Sequence, residues 1–158
     1  MKVLLREATI SDLELILAWR LIPDVYQGLY TQSKENRPLT WDEHYNWWMT
    51  RKTWKIFIIQ VNDGKWTRDV GYVNIGQLDS WRPEIGIAIG EVTLHGQGVG
   101  KQALQLALEW LKEQGYEQTH TTILDNNEKA KGLFKSLGYY CVGKAREGES
   151  WWNKILTL

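Results

Sequence analysis

Apolar residues in this chain recur with two different periods, and the change of period marks out its elements. Lys2 to Arg6, with Val3, Leu4 and Leu5 between two charged ends, predicts a short first strand. Ser11 with Glu14 has the spacing of a capping box, and Leu13, Ile16 and Leu17 share one helical face behind it. Pro23 is expected to end that helix, and residues 22–39, polar and carrying Gly28, Asn36 and Pro38, form the longest predicted loop. Thr40 with Glu43 is a second capping box, opening a helix to about residue 52. Strand patterns at 54–61 and 68–78 flank Asn62-Asp63-Gly64-Lys65, a hairpin signal. Pro83 precedes a short, mostly apolar strand at 84–90. HGQGVG at 95–100 then leads into a strongly amphipathic helix that Gly115 closes. A strand at 118–125, a helix from Asn126 or Asn127 to Ser136, and a final hairpin pairing 139–146 with 150–157 complete the chain.

The predicted order is β-α-α-β-β-β-α-β-α-β-β. It implies an α/β (α+β) fold with a mixed, mostly antiparallel sheet of seven strands flanked by four helices, some on each face. The 158 residues fit one domain, expected over 1–158. Nineteen Lys and Arg balance nineteen Asp and Glu, which argues against a strongly basic nucleic-acid module or a polybasic membrane anchor. One cysteine, Cys141, rules out a disulfide framework and a thiolate-rich zinc site, so no metal is expected. Neither a membrane-length apolar run nor a signal peptide is present, and a cytoplasmic protein is the expectation. Ten tryptophans against two phenylalanines is unusual; indoles suit pockets and interfaces as well as cores.

Gly96, Gly98 and Gly100 lie between a strand and the first turn of a long helix. Backbone N–H groups are unpaired there and the helix dipole is positive, so the turn can hold a phosphate; a tight βα turn needing glycine for geometry alone is the plainer alternative. Gln97 and Lys101 stand at its rim. The nucleoside-triphosphate loop fails, because His95 replaces its first glycine and Gln102 its Ser or Thr. Gly98-Val99-Gly100-Lys101-Gln102-Ala103 fits the relaxed dinucleotide pattern but falls late in the chain, after several strands of antiparallel type.

HGQGVGKQAL resembles the acyl-CoA signature of the GCN5-related N-acetyltransferase superfamily, [QR]-x-x-G-x-[GA] before a helix, with His95 in place of the usual Gln or Arg. Residues Asn127, Ala130, Leu133, Phe134, Gly138 and Tyr139 are similar to the family's N-x-x-A-x-x-L-Y-x-x-x-G-[FY]. The spacing most resembles the branch that acetylates ribosomal-protein N-termini, polyamines and nucleotide-linked amino sugars. The likeness is good over 68–158 and only topological over 1–67.

The resemblance implies acetyl-CoA as co-substrate, held where two neighbouring parallel strands splay apart. Ile87, Ala88 and Ile89 would pair with the pantetheine amides. The N–H groups of Gly96, Gln97, Gly98, Val99, Gly100 and Lys101 would hold the diphosphate, with His95 a further cofactor-binding candidate and an N–H near Ile89 facing the reacting carbonyl. Asn127 would hydrogen-bond the arm, or serve only as a helix cap. Lys129, Lys131 and Lys135 would meet the 3′-phosphate or form a solvated face. At Phe134 the family usually has a tyrosine that protonates the leaving thiolate; Phe134 lines the cofactor but has no proton, so Tyr139, Tyr140 or water would substitute.

Transfer requires a neutral amine, whereas alkylammonium groups have pKa values of about 10, so a base must act. Glu84 is the first candidate, because strand alternation puts it on the face of Gly86 and Ala88; a surface carboxylate is the alternative. His120 on the next strand is the second candidate. On the second helix Trp41, Tyr45 and Trp48 are expected to face the core, while His44, Trp47 and Arg51 share a face that, with Glu84, would contact the acceptor. Trp151 and Trp152 should point to opposite faces of the last hairpin, a region that in this family borders the acceptor or a homodimer contact. The expected partner is a small-molecule or peptide amine. The alternatives are an acyl-CoA-binding module that has lost turnover and a nucleotide-binding protein of another fold.

Overall fold

The computed structural model describes residues 1–26, 39–50 and 52–157. Seven strands form one sheet: β1 (Lys2–Glu7), β2 (Lys55–Asn62), β3 (Thr67–Gly76), β4 (Glu84–Ile89), β5 (Gln118–Leu124), β6 (Tyr140–Arg146) and β7 (Glu149–Ile155). Their spatial order is β1-β2-β3-β4-β5-β7-β6. Every neighbouring pair is antiparallel except β4 with β5, which is parallel.

Five helices accompany the sheet among the described residues: α1 (Leu13–Arg20), α2 (Pro23–Tyr26), α3 (Trp41–Met49), α4 (Val99–Glu113) and α5 (Glu128–Ser136). That is one more than the sequence pattern suggested. Pro23 does follow the end of α1, but it also starts the short α2, as a first-turn proline can because it has no N–H to leave unpaired. Residues 27–38 of the expected loop, and Arg51, lie outside the described residues.

The cap of α1 also differs from the Ser11–Glu14 expectation. α1 has Asp12 as its N-cap with no side-chain capping bond, and the box belongs to the 3-10 turn just before it, Ile10–Asp12, where Asp12 accepts from the Thr9 N–H at 2.8 Å. Arg6 holds the same carboxylate: its guanidinium grips both Asp12 oxygens, at 2.9 and 2.8 Å, and reaches Asp69 at 2.8 Å. The Thr40–Glu43 box stands as read.

Two apolar layers sandwich the sheet. On one face Val3, Phe57, Ile59, Val61, Val73 and Ile85 pack against Val99, Ala103, Leu104, Ala107 and Leu111 of α4 and Phe134 of α5. On the other face Ile56, Ile58, Tyr72 and Ala88 pack against Leu13, Ile16 and Trp19 of α1 and Trp48 of α3. Burial on both sides explains why β2 reads as a continuous apolar run rather than an alternating one. No described helix is long and apolar enough to cross a membrane.

Candidate active site

β4 and β5 start side by side and then part. Their single register pair among the described residues is Glu84 with His120. Below it, the Pro83 carbonyl accepts from the His120 N–H at 3.0 Å and from the Thr119 hydroxyl at 2.8 Å, pinning the two strands at one end. Beyond it no ladder joins them, and the strands open as a wedge.

The wide end of the wedge meets the glycine turn. Gly96 (φ +80) and Gly98 (φ +82) occupy the left-handed region, where a side chain would be strained, and a Cβ on Gly96 would meet nothing within 4 Å. Gly98 is the N-cap of α4 and offers no side-chain acceptor, so the first amides of the helix, at Val99, Gly100 and Lys101, have neither an intrahelical nor a cap partner. The partial positive charge of the helix end lies at the same place. The imidazole of His95 turns away from this nest, its Nε2–H donating to the Ile89 carbonyl at 2.8 Å and tying the turn to the end of β4. Gln97 faces outward: its amide side chain donates to the Thr93 carbonyl and its own N–H to Leu94.

The structure gathers Ile87, Ala88, Ile89, His95, Gly96, Gly98, Val99, Gly100, Lys101 and Asn127 around one cleft of about 400 Å³. Gln97 and Phe134 do not line it. Lys129, Ala130 and Leu133 of α5, Leu94, and Asp24 and Val25 of α2 complete its wall. Ala130 and Leu133 were legible, since they follow Asn127 at i+3 and i+6 along one helical side. Asp24 and Val25 come from the far end of the sequence and carried no signal. Asn127 caps α5, its Oδ1 accepting from the Ala130 N–H at 3.1 Å, which leaves its amide N–H groups available to the cleft.

At the narrow end, His120 is buried and Glu84 half-exposed. His120 Nδ1 lies 3.0 Å from the Arg82 carbonyl. A carbonyl can only accept, so in the neutral ring the proton sits on Nδ1 and Nε2 presents a lone pair. Among the described residues Nε2 has no hydrogen-bond partner, and it lies 3.4 Å from Glu84 Oε2. With the ring neutral, Nε2 and Glu84 Oε2 are two acceptors facing one another, and a proton on either atom turns the contact into a hydrogen bond.

The remaining candidates lie elsewhere. Phe134 is buried with the edge of Tyr139 against it, ring centres 4.9 Å apart. Tyr139 belongs to the same core, where burial above all pushes its hydroxyl well above the ordinary phenol range, and it does not reach the cleft. On α3 the expected faces are partly exchanged: Trp41 and Tyr45 are 45% and 40% exposed, whereas His44 is fully buried. His44 Nε2–H donates to the Leu13 carbonyl at 2.7 Å, and its Nδ1 faces the Arg20 guanidinium at 3.4 Å. Burial, chiefly, and then Arg20 hold its pKa below the usual imidazole value. Trp47 stacks on that ring at 5.2 Å with Arg20 over its own face at 4.6 Å. These two residues fasten α3 to α1 rather than opening a pocket, because the polar part of His44 finds its partners inside. Trp152 is in the core and Trp151 on the opposite face, 4.9 Å from the His120 ring.

Comparison with known proteins agrees with this geometry. A family model described as an acetyltransferase (GNAT) domain matches residues 2–140. An uncharacterized protein of Methanocaldococcus jannaschii is 44% identical over 148 residues, 94% of this chain but 30% of that protein, so the chain spans under a third of its relative's length. The crystal structure of a domain from the same organism superposes with a TM-score of 0.92 at 42% identity, covering 98% of both chains. A spermidine N-acetyltransferase from Vibrio cholerae, solved with CoA and spermine, gives 0.81 at 16% identity over 98% of this chain and 96% of its own. An aminoglycoside acetyltransferase solved with coenzyme A and kanamycin gives 0.81 at 14% identity over 98% and 95%. At such low identity the last two show the shared fold alone. The chain belongs to the GNAT acetyltransferase family.

Proposed function

We propose that this domain transfers an acetyl group from acetyl-CoA to a primary amine. The observation that carries the reading is the wedge between β4 and β5, with Glu84 and His120 at its narrow end and the amides of residues 98–101 at its wide one. The residues present fit the co-substrate. Unpaired main-chain N–H groups at a helix start suit a diphosphate, with Lys101 and Lys129 beside them. The apolar wall of Ile87, Val99 and Leu133 suits an aliphatic arm, and Asn127 can donate to its amides. When bound, acetyl-CoA supplies an acyl thioester open to attack by an unprotonated amine.

The work of the chain is to position that amine and take its proton. Glu84 Oε2 attracts the incoming ammonium and accepts the proton. Once protonated, its O–H turns toward the His120 Nε2 lone pair 3.4 Å away, so the repulsion between two acceptors becomes an attraction. His120 acts through Glu84 and is itself held by the Arg82 carbonyl. The spermidine and aminoglycoside acetyltransferases that share this fold support an amine as the acceptor class.

Thiol release from acetyl-CoA with a panel of primary amines tests the reading. Glu84→Gln should lower kcat roughly 10²–10⁴-fold while CoA binding, followed by calorimetry, stays unchanged. A second reading, an acyl-CoA-binding module with little turnover, is favoured by one observation: neither Phe134 nor Tyr139 presents a proton to the cleft. A thiolate with a pKa of about 8.5 leaves tolerably well unaided, so the first reading stands unless CoA binds and no amine releases thiol.

A further inference from the structure

A cluster that none of the family motifs includes lies immediately beside Glu84 and His120. Arg82 and Glu84 are two apart across Pro83 and fall on one side of the chain, as do His120 of β5 and, across the β5–β7 ladder, Trp151 and Asn153. The Arg82 guanidinium lies 5.4 Å from the ring centre of Trp81 and 5.5 Å from that of Trp151. Its one hydrogen bond among the described residues goes to Asn153 Oδ1 at 3.2 Å. Asn153 is buried and fixed in turn, its Nδ2 donating to Tyr140 and Gln118, both at 3.1 Å. Among the described residues no carboxylate pairs with Arg82, whereas Arg6 and Arg68 each hold two. A guanidinium has five N–H donors in a planar fork, and most of those on Arg82 have no acceptor among the described residues. The indole of Trp81 is 69% exposed beside it.

A half-buried cation held by two aromatic rings and a buried amide, with spare donors, is built to receive an anion. Its position matters as much as its charge. A polycation approaching Glu84 would have to pass this guanidinium and lose affinity by repulsion. An acceptor with a negative group near its amine would find complementary charges on both ends, with an indole surface for the body between them. We propose that Arg82, braced by Trp81, Trp151 and Asn153, is the specificity-determining anion contact of the acceptor site. The acceptor is then an amine bearing a carboxylate or phosphate on a planar or sugar-like body. This deepens the acetyltransferase reading and rests on it.

Two matched pairs of amines test the idea by binding, in the presence of CoA so that the cleft is filled: L-phenylalanine against phenethylamine, and glucosamine 6-phosphate against glucosamine, with spermine as the polycation. Titrations followed by calorimetry and tryptophan fluorescence should favour the anionic member of at least one pair by roughly 10- to 100-fold, the range of a charge-assisted hydrogen bond. The winning pair tells carboxylate from phosphate. Arg82→Gln should abolish that preference and Arg82→Lys should keep part of it, with CoA affinity unchanged in both as the control for folding. Trp81→Ala, at an exposed position, should weaken both members of the winning pair alike. The proposal is overturned if neither pair favours its anionic member, if spermine binds best, or if Arg82→Gln leaves the preference intact. Thiol release is recorded for the same compounds: its absence throughout, with the binding preference present, sinks acetyl transfer and leaves the anion contact standing.

Discussion

The two sides of the β4–β5 wedge are built on different principles. The wide end is read by backbone: left-handed glycines and the bare amides of a helix start, which demand particular residue types at fixed spacing. The narrow end is read by side chains that arrive from separate strands, with Arg82 and Glu84 entering β4, His120 on β5 and Trp151 on β7. A backbone site leaves a compact local signature, because glycine cannot be replaced without strain. A side-chain site leaves none until the sheet is assembled. On the proposed reading the first kind of site holds the co-substrate and the second meets the acceptor.

Breaking the backbone side should have the largest effect. Gly98→Val forces a β-branched residue into φ +82 at the helix start. The strain, with the amides it displaces, should weaken CoA binding by roughly 100-fold, measured by calorimetry. On the opposite side of the strand, Gly90 lies under the Trp19 ring, where an added Cβ would come within 1.9 Å of an indole carbon. Gly90→Ala should therefore cost about 1–3 kcal/mol in chemical denaturation by lifting α1, with a smaller loss of CoA affinity than Gly98→Val causes.

The gentlest probe is acid. His44 has its folded pKa below that of the free side chain, about 6.5, because burial and then Arg20 oppose its charge. The unfolded chain thus binds the extra proton more readily. Stability from this group is present above that value and falls as pH drops below it, toward the folded pKa. His44→Gln should lose this part of the acid sensitivity between pH 7 and 5, read as a smaller decline in melting temperature, at the cost of a lower melting temperature at pH 7.

The sequence was informative wherever physics acts locally. Asn62-Asp63-Gly64-Lys65 marked the β2–β3 hairpin, and the apolar stripe of α4 marked its buried face. Local reading failed on α3. Trp41, Tyr45 and Trp48 share helical spacing, yet the groove between α1 and the sheet accepts Trp48 and His44 and leaves the other two outside. His44 is buried because a carbonyl of α1 and the Arg20 side chain happen to meet it there, partners that no spacing rule can reveal. Arg82 was equally silent, since Asn153 and Trp151 reach it from about seventy residues away.

The lone rung between Glu84 and His120 leaves the sheet as a four-stranded leaf and a three-stranded leaf joined at one corner. A guest lying along the seam takes the place of the missing rungs and turns two leaves into one continuous surface. Amide protons on both margins of the seam should then exchange far more slowly with deuterated solvent, and the protein should melt later by mass action. Occupancy of the gap would thus act as a structural rib, tying the rigidity of the molecule to whether the proposed co-substrate is in place.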